Sequence, residues 1–358
     1  MKILYISPEN TVGTLEIWKK AHQYLGNTCR YVTFYKSQFN YKEDICLNLP
    51  FISSDKNYIR TRYFLYKLFN IFTYKTPQKI PLVKESSFFE SLYFQYRDNL
   101  WDNIINQTIK KYNLYDFDVF HFEWGLDFYR DCRFVKKLAK NNKKIICHYH
   151  GEDLRTRGVI EPINSLSHLN LTNEIDLLRL HPNIEYLYLP YNIDNIKSEK
   201  RLNNKIRICH ATSNRRFKGS EKIISICTKL ENEMNIDFVL IEKMDYYEAL
   251  ALKETCDINI DQIDNKGGCG YGMNSIEAMT QGLCCLTEIN KEAESFLKGH
   301  PFININENNL YVELKDLIRN KEKIKIYQKK ARDWVKLKHS YKNVIKQLYK
   351  KYDQLNII

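Results

Sequence analysis

Glycine and proline are scarce in this chain, 12 and 8 among 358 residues. So few breakers exclude a collagen-like or repeat polymer and fit long helices with buried strands. The ten cysteines show no C-x-x-C spacing, and Cys284 and Cys285 are adjacent within an apolar run. That argues against a zinc or disulfide framework and for buried free thiols in a reducing compartment. No run of about 18 apolar residues exists, so no membrane-spanning helix is expected. The apolar start Met1–Ile6 reaches Ser7-Pro8-Glu9-Asn10 too soon for a secretory signal. The expectation is therefore a cytoplasmic protein, in which the sequons Asn106-Gln107-Thr108 and Asn170-Leu171-Thr172 carry no meaning. No nucleic-acid-binding motif occurs, and the basic residues are spread through helices, which sets nucleic acid aside as a partner.

Apolar residues make up 44% of the chain and charged ones 27%, with 26 tyrosines and 18 phenylalanines. This is globular composition, and the length suits two domains with full cores. The net charge of +12 favours acidic partners such as nucleotides or phospholipid surfaces.

The residues 2–7 read as a buried strand, followed by a loop with Gly13 and a helix from Leu15 to about Leu25. Strand, glycine turn and helix open a doubly wound α/β domain. Cys29–Phe34 is a second strand. The run 58–75 mixes basic and aromatic residues and has two readings, a membrane-surface helix or a core helix with basic solvent positions, ended by Pro77 and Pro81. From Ser86 to Tyr112 a helix is expected, with Phe89, Leu92, Tyr93, Tyr96, Leu100, Ile104 and Ile105 on one side. Strands follow at Asp118–Trp124 and Lys144–His150, with a helix near 131–141 between them. His148, His150 and Asp153 then sit at a carboxyl strand end, where open α/β sheets bind ligands. The two histidines share a face, suiting a catalytic site or a hydrogen-bonded pair; a metal lacks an evident third ligand. A last strand is read at Ile184–Asp194, and the polar stretch 195–205 reads as the interdomain linker.

A second α/β unit opens at Ile206–Ala211. Arg215, Arg216, Lys218 and Gly219 follow this strand, and Ser220 reads as the N-cap of the next helix. Cations at that place suit a diphosphate, with a solvated basic loop as the plain alternative. Strands are read at Ile236–Ile241, Cys256–Asp261, Leu283–Thr287 and Phe302–Ile305. Helices are read at Tyr246–Thr255, Glu292–Leu297 and Asn309–Arg319, and from Lys321 onward. Four glycines within 267–272 open onto a helix that carries Glu277 and ends at Gly282. Such a loop lets backbone approach a ligand, and the helix start presents unpaired amides to a phosphate. Glu277 is better placed for sugar hydroxyls.

Three segments together resemble the retaining GT-B glycosyltransferases, in particular the family-4 group. They are His150-Gly151-Glu152-Asp153, Arg215-Arg216-Phe217-Lys218-Gly219, and Gly270-Tyr271-Gly272 with Glu277-Ala278-Met279 and Gly282. The resemblance spans most of the chain. It implies an α/β GT-B fold of two Rossmann-like domains facing each other across a cleft. These are an acceptor domain over 1–194 and a nucleotide-sugar domain over 195–338, with a helix over 339–358 that crosses back. It further implies that Lys218 and Arg215 or Arg216 neutralise a leaving diphosphate, helped by amides near Gly272, Met273 and Gly13. Glu277 would hold the donor ribose, His150 would bond a donor hydroxyl, and Asp153 would orient its segment or the acceptor. Neither metal nor cofactor is implied beyond the nucleotide-sugar, and the acceptor would be a glycan or lipid-linked. Independently of the resemblance, the run 58–75 and the net charge of +12 point to an anionic membrane surface as a partner, at the inner face of the membrane. Two departures stand out. The position eight before Glu277 is Cys269, so Asn274 or main-chain amides take the place of a first glutamate, and the position five before Lys218 is Ser213. The rival functions are a nucleotide-sugar epimerase of the same fold, a donor-binding scaffold, and a non-catalytic basic binding protein.

Overall fold

The computed structural model describes residues 1–51, 88–151, 153–194, 196, 199–264, 268 and 270–357. The run 58–75, Pro77, Pro81, Ser86, Glu152, Asn195, Gly267 and Cys269 lie outside the described residues. Two compact units emerge, residues 1–187 with 345–358, and residues 188–344.

The first unit holds strands β1 (Lys2–Ser7), β2 (Thr28–Thr33), β3 (Ile45–Cys46), β4 (Val119–Glu123), β5 (Lys144–Tyr149), β6 (Leu169–Thr172) and β7 (Ile184–Tyr186). They form one parallel sheet in the order β3-β2-β1-β4-β5-β6-β7. Helices α1 (Thr14–Tyr24), α2 (Phe88–Tyr112), α3 (Arg133–Lys140) and α4 (Glu161–Leu166) connect them. Every residue of β4 is buried. Parallel strands covered on both faces must be apolar nearly throughout, which explains their continuous rather than alternating pattern.

The second unit holds β8 (Ile206–Ala211), β9 (Ile236–Ile241), β10 (Ile258–Ile260), β11 (Cys284–Thr287) and β12 (Ile303–Asn304), parallel in the order β12-β11-β10-β8-β9. Its helices are α5 (Arg215–Lys218), α6 (Ser220–Glu233), α7 (Tyr246–Glu254), α8 (Met273–Thr280), α9 (Lys291–Phe296), α10 (Leu310–Arg319), α11 (Lys321–Lys338) and the start of α12 (Tyr341–Gln354). Among the described residues no helix is long and apolar enough to cross a membrane.

Several sequence expectations need correction. The strands β3 and β6 are additional. The segment read as a strand over 184–194 pairs only through Tyr186, because from Tyr188 onward it bonds to the end of α11 instead. Tyr191 donates to the His339 carbonyl at 2.6 Å, and His339 Nδ1 lies 2.7 Å from the Leu189 carbonyl. The unit boundary therefore falls at 187/188, not at 194/195, and within the described part of the stretch read as a linker Asn203 bonds Asp257. At the other end residues 345–358 belong to the first unit. There Tyr349 reaches His22 at 3.0 Å, and Tyr352 bonds His121. Among the described side chains of α2 the buried apolar ones are Trp101, Ile105 and Ile109, with Asp98 also buried, while Leu92, Tyr96 and Leu100 are exposed. A spacing of four keeps the first three on one face.

Candidate functional site

In an open α/β sheet a ligand crevice forms where the strand order reverses. In the second unit that point lies between β8 and β10. The chain leaves β8 through Asn214, whose side chain caps α5 by accepting from the amides of Arg216 and Phe217. Gly219 then takes a left-handed φ of 65°, and a Cβ there would come within 2.6 Å of Ile263. This turn starts α6 one residue earlier than the serine-cap expectation. Ser220 is the first helical residue, and its hydroxyl lies 2.7 Å from His210 Nε2. Competition for that hydroxyl by a buried histidine is what overturns the N-cap reading.

The same turn aims Lys218 at the end of β10. Its ammonium donates to Asp261 Oδ1 at 2.5 Å and to Gln262 Oε1 at 3.1 Å. Asp261 is fully buried. Its carboxylate also accepts from Ser275 Oγ at 2.5 Å, Asn274 Nδ2 at 3.2 Å and the Gly272 amide at 3.4 Å. Lys218 and the start of α8 thus meet on one carboxylate. Burial alone would raise the Asp261 carboxyl; the Lys218 charge and the hydrogen bonds from Lys218, Ser275 and Asn274 hold it down at about 2. Gly272 has an ordinary φ of −140°, and a Cβ on it would meet no described residue within 4 Å. Among the described residues nothing fills the space at this helix start.

The other donor-side candidates are placed differently. Arg215 is spent on exposed ion pairs, with Glu242 at 2.9 Å and Glu221 at 2.9 Å, and Arg216 is exposed. Met273 is buried. Glu277 is buried and pairs with buried Lys253 at 2.5 Å.

In the first unit the reversal lies between β1 and β4. Gly13 follows β1 with a φ of 71°, and a Cβ there would lie 2.9 Å from the Tyr41 ring. At the ends of β4 and β5, Glu123 and His148 are register partners and both are buried. His148 Nδ1 lies 3.7 Å from Glu123 Oε1. His150 Nε2 contacts Glu123 Oε2, and its Nδ1 lies 2.9 Å from Asn173 Oδ1. Asp153 accepts from the amides of His150, Gly151 and Leu154 at 2.9, 2.8 and 2.8 Å, which folds the segment into a tight turn. Beside it Arg155 bonds Asp176 and Glu174. The third group that the H-x-H pair lacked in sequence is Glu123: among the described residues its carboxylate and the two imidazoles bring ligand atoms within 4.8 Å of one another, a set that could hold a metal ion.

Sequence reasoning missed Glu123, Asn173, Lys253 and the role of Asp261. Glu123 and Asp261 did stand at the ends of expected strands, which was the available signal; nothing local marked Asn173 or Lys253.

The two parallel sheets with their crossover helices are those of the GT-B class, two Rossmann-like domains in one chain. Among solved structures, the chain is similar to Anabaena HepE in complex with UDP and glucose, with a TM-score of 0.58 and 12% identity over 99% of this chain and 100% of that one. It is also similar to sucrose-phosphate synthase from Thermosynechococcus elongatus, with a TM-score of 0.59 and 11% identity over 99% of each. A Listeria monocytogenes protein assigned as a UDP-N-acetylglucosamine 2-epimerase gives a TM-score of 0.50 at 11% identity, over 99% of this chain and 96% of that one. No protein-family model matches, and no curated protein matches by sequence.

Proposed function

We propose that the protein is a family-4-like, retaining glycosyltransferase. It would move a hexosyl unit from a nucleotide-diphosphate sugar to a glycan or lipid-linked acceptor, in the synthesis of cell-surface polysaccharide. The observation that carries this reading is the meeting of the Lys218 ammonium and the Gly272 amide on Asp261. An ammonium has three donors. Two are spent on Asp261 and Gln262, which leaves one for a phosphate oxygen approaching the open space at Gly272. The amides at Gly272 and Met273, the side chain of Asn274 and the loop at Gly13 would assist, and either Arg215, by exchanging Glu221 and Glu242, or exposed Arg216 would reach in. Fixed cations and a helix start would stabilise the leaving diphosphate without a divalent ion or other cofactor. Glu277, held by Lys253, would accept from ribose hydroxyls. His150 and Asp153 would shape the segment that meets the transferred sugar. HepE was solved with UDP-glucose, which makes uridine donors the first to try.

Incubation with radiolabelled uridine, guanosine and cytidine diphosphate sugars and cell-envelope acceptors tests the reading. Transfer with retained anomeric configuration is expected, and neither transfer nor hydrolysis of any donor would overturn it. The epimerase-like neighbour supports a second reading, whose mark is donor isomerisation without acceptor. The net charge of +12 supports attachment to an anionic surface. Flotation with phosphatidylglycerol vesicles at low salt should carry the protein upward; protein left in the bottom fraction refutes attachment.

A further inference from the structure

Glycine backbone visits many conformations at little cost, so neither Gly270 nor Gly272 fixes its own part of the loop. Main-chain bonds supply part of the restraint. The Gly270 carbonyl accepts from the buried Thr287 hydroxyl at 2.5 Å, and the Gly272 amide points to Asp261 at 3.4 Å. Of the residues 270–272 only Tyr271 has a side chain that can fasten the loop. Its ring centroid is 5.0 Å from that of Phe302, 5.4 Å from that of Trp334 and 5.6 Å from that of His339. Its hydroxyl is 3.1 Å from His339 Nε2.

His339 is 1% exposed, and its other ring nitrogen, Nδ1, lies 2.7 Å from the Leu189 carbonyl. A carbonyl can only accept, so Nδ1 carries the proton. Burial brings the His339 value down to about 4, and the ring is neutral at neutral pH. Its Nε2 then presents a lone pair, to which the Tyr271 hydroxyl donates. The ring is held in place from the same side by its main chain, whose carbonyl accepts from the Tyr191 amide at 2.6 Å, and by the Tyr188 ring standing edge-on at 5.3 Å.

We infer that His339 is a positioning residue for the glycine loop: a neutral ring anchored on the Leu189 carbonyl takes the Tyr271 hydroxyl and thereby sets the backbone from Gly270 to Gly272. It acts through Tyr271, 68 residues earlier in the chain. A loop set in advance need not be ordered when a ligand arrives, and that saving appears as affinity. The inference rests on the proposed function in one respect, that the Gly272 amide meets a diphosphate. Affinity for a nucleoside diphosphate should then depend on a buried histidine at the end of α11.

Two measurements on the full-length protein test it: hydrogen exchange at the amides of residues 270–273, and calorimetric titration with uridine diphosphate. Tyr271→Phe removes the hydroxyl and keeps the ring. His339→Asn keeps a donor near the place of Nδ1 and loses the acceptor at Nε2. Each should speed exchange in the loop and weaken uridine diphosphate by about five- to tenfold, the scale of one hydrogen bond. His339→Gln offers an amide oxygen near the place of Nε2 and should recover most of both. The double variant Tyr271→Phe/His339→Asn should be no worse than either single one, since both break the same bond. Urea unfolding is followed alongside, because a histidine that served only the core would lower stability and leave exchange and affinity at their wild-type values. Should His339→Asn fail to fold, Tyr271→Phe against wild type still decides. Wild-type exchange and affinity in Tyr271→Phe, or effects of the two substitutions that add, would overturn the inference. If wild type binds no nucleoside diphosphate the reading of the site falls, and the exchange rates still decide this one.

Discussion

Lys218→Met is expected to lower the rate of sugar transfer by ~10²–10³-fold, the usual effect of removing one preorganised donor from developing charge. The change also strands a fully buried carboxylate. Asp261 keeps its bonds from Ser275, Asn274 and the Gly272 amide but loses its cation. Removing one partner from a buried pair costs about 3–5 kcal/mol, so lost rate could reflect lost fold. The double variant Lys218→Met/Asp261→Asn separates the two, because the amide carries no charge to strand. It should recover most of the unfolding free energy while staying slow. Acid unfolding gives a further sign. The folded Asp261 value of about 2 lies below the ordinary 3.8. The stabilisation is therefore complete above about 3.8 and is lost as pH falls toward 2. Wild type and Asp261→Asn should thus differ at neutral pH and converge in acid. Undiminished binding of uridine diphosphate by Lys218→Met, measured calorimetrically, would remove the diphosphate from this end of the sheet.

Lys253→Met is expected to destabilise the second unit by about 3–5 kcal/mol without touching any exposed surface. The Lys253 and Glu277 side chains are 3% and 9% exposed, and their 2.5 Å contact joins α7 to α8. With the ammonium gone, Glu277 is left as a buried charge without its partner. Replacing both residues, as Lys253→Met/Glu277→Leu, should restore most of the stability, since a buried ion pair is often no better than apolar residues of similar size. Nucleotide binding should not return, because the carboxylate proposed to grip the ribose is absent from the double variant. Equilibrium unfolding in urea and titration with uridine diphosphate read the two effects separately. A single variant within about 1 kcal/mol of wild type would show that the pair is a surface-like contact of little weight.

Much of the architecture was legible in the chain. Apolar runs of strand length, broken by glycine and followed by segments of helical period, are local signals, because one strand or helix turn is decided by neighbours in sequence. Ile206–Ala211, Ile236–Ile241 and Cys284–Thr287 show this. So does the helix start after Gly272, where backbone freedom and unpaired amides are properties of a few consecutive residues. The short strands β3 and β6 were not legible, since runs of two and four residues carry too little period to read. The exposed face of α2 was misread for a related reason, as aromatic residues such as Tyr96 fit an apolar stripe whether or not anything covers them.

By itself the sequence determined that two parallel α/β units would form, and it determined where a glycine-led helix start and a histidine-bearing strand end would fall. Only the tertiary structure decided what those elements meet: Asp261 under Lys218, Lys253 under Glu277, Glu123 and Asn173 on either side of His150. These partners lie 43, 24, 27 and 23 residues apart. Strand order and helix packing bring them together, and charge and protonation at a buried site depend on the neighbours that folding supplies.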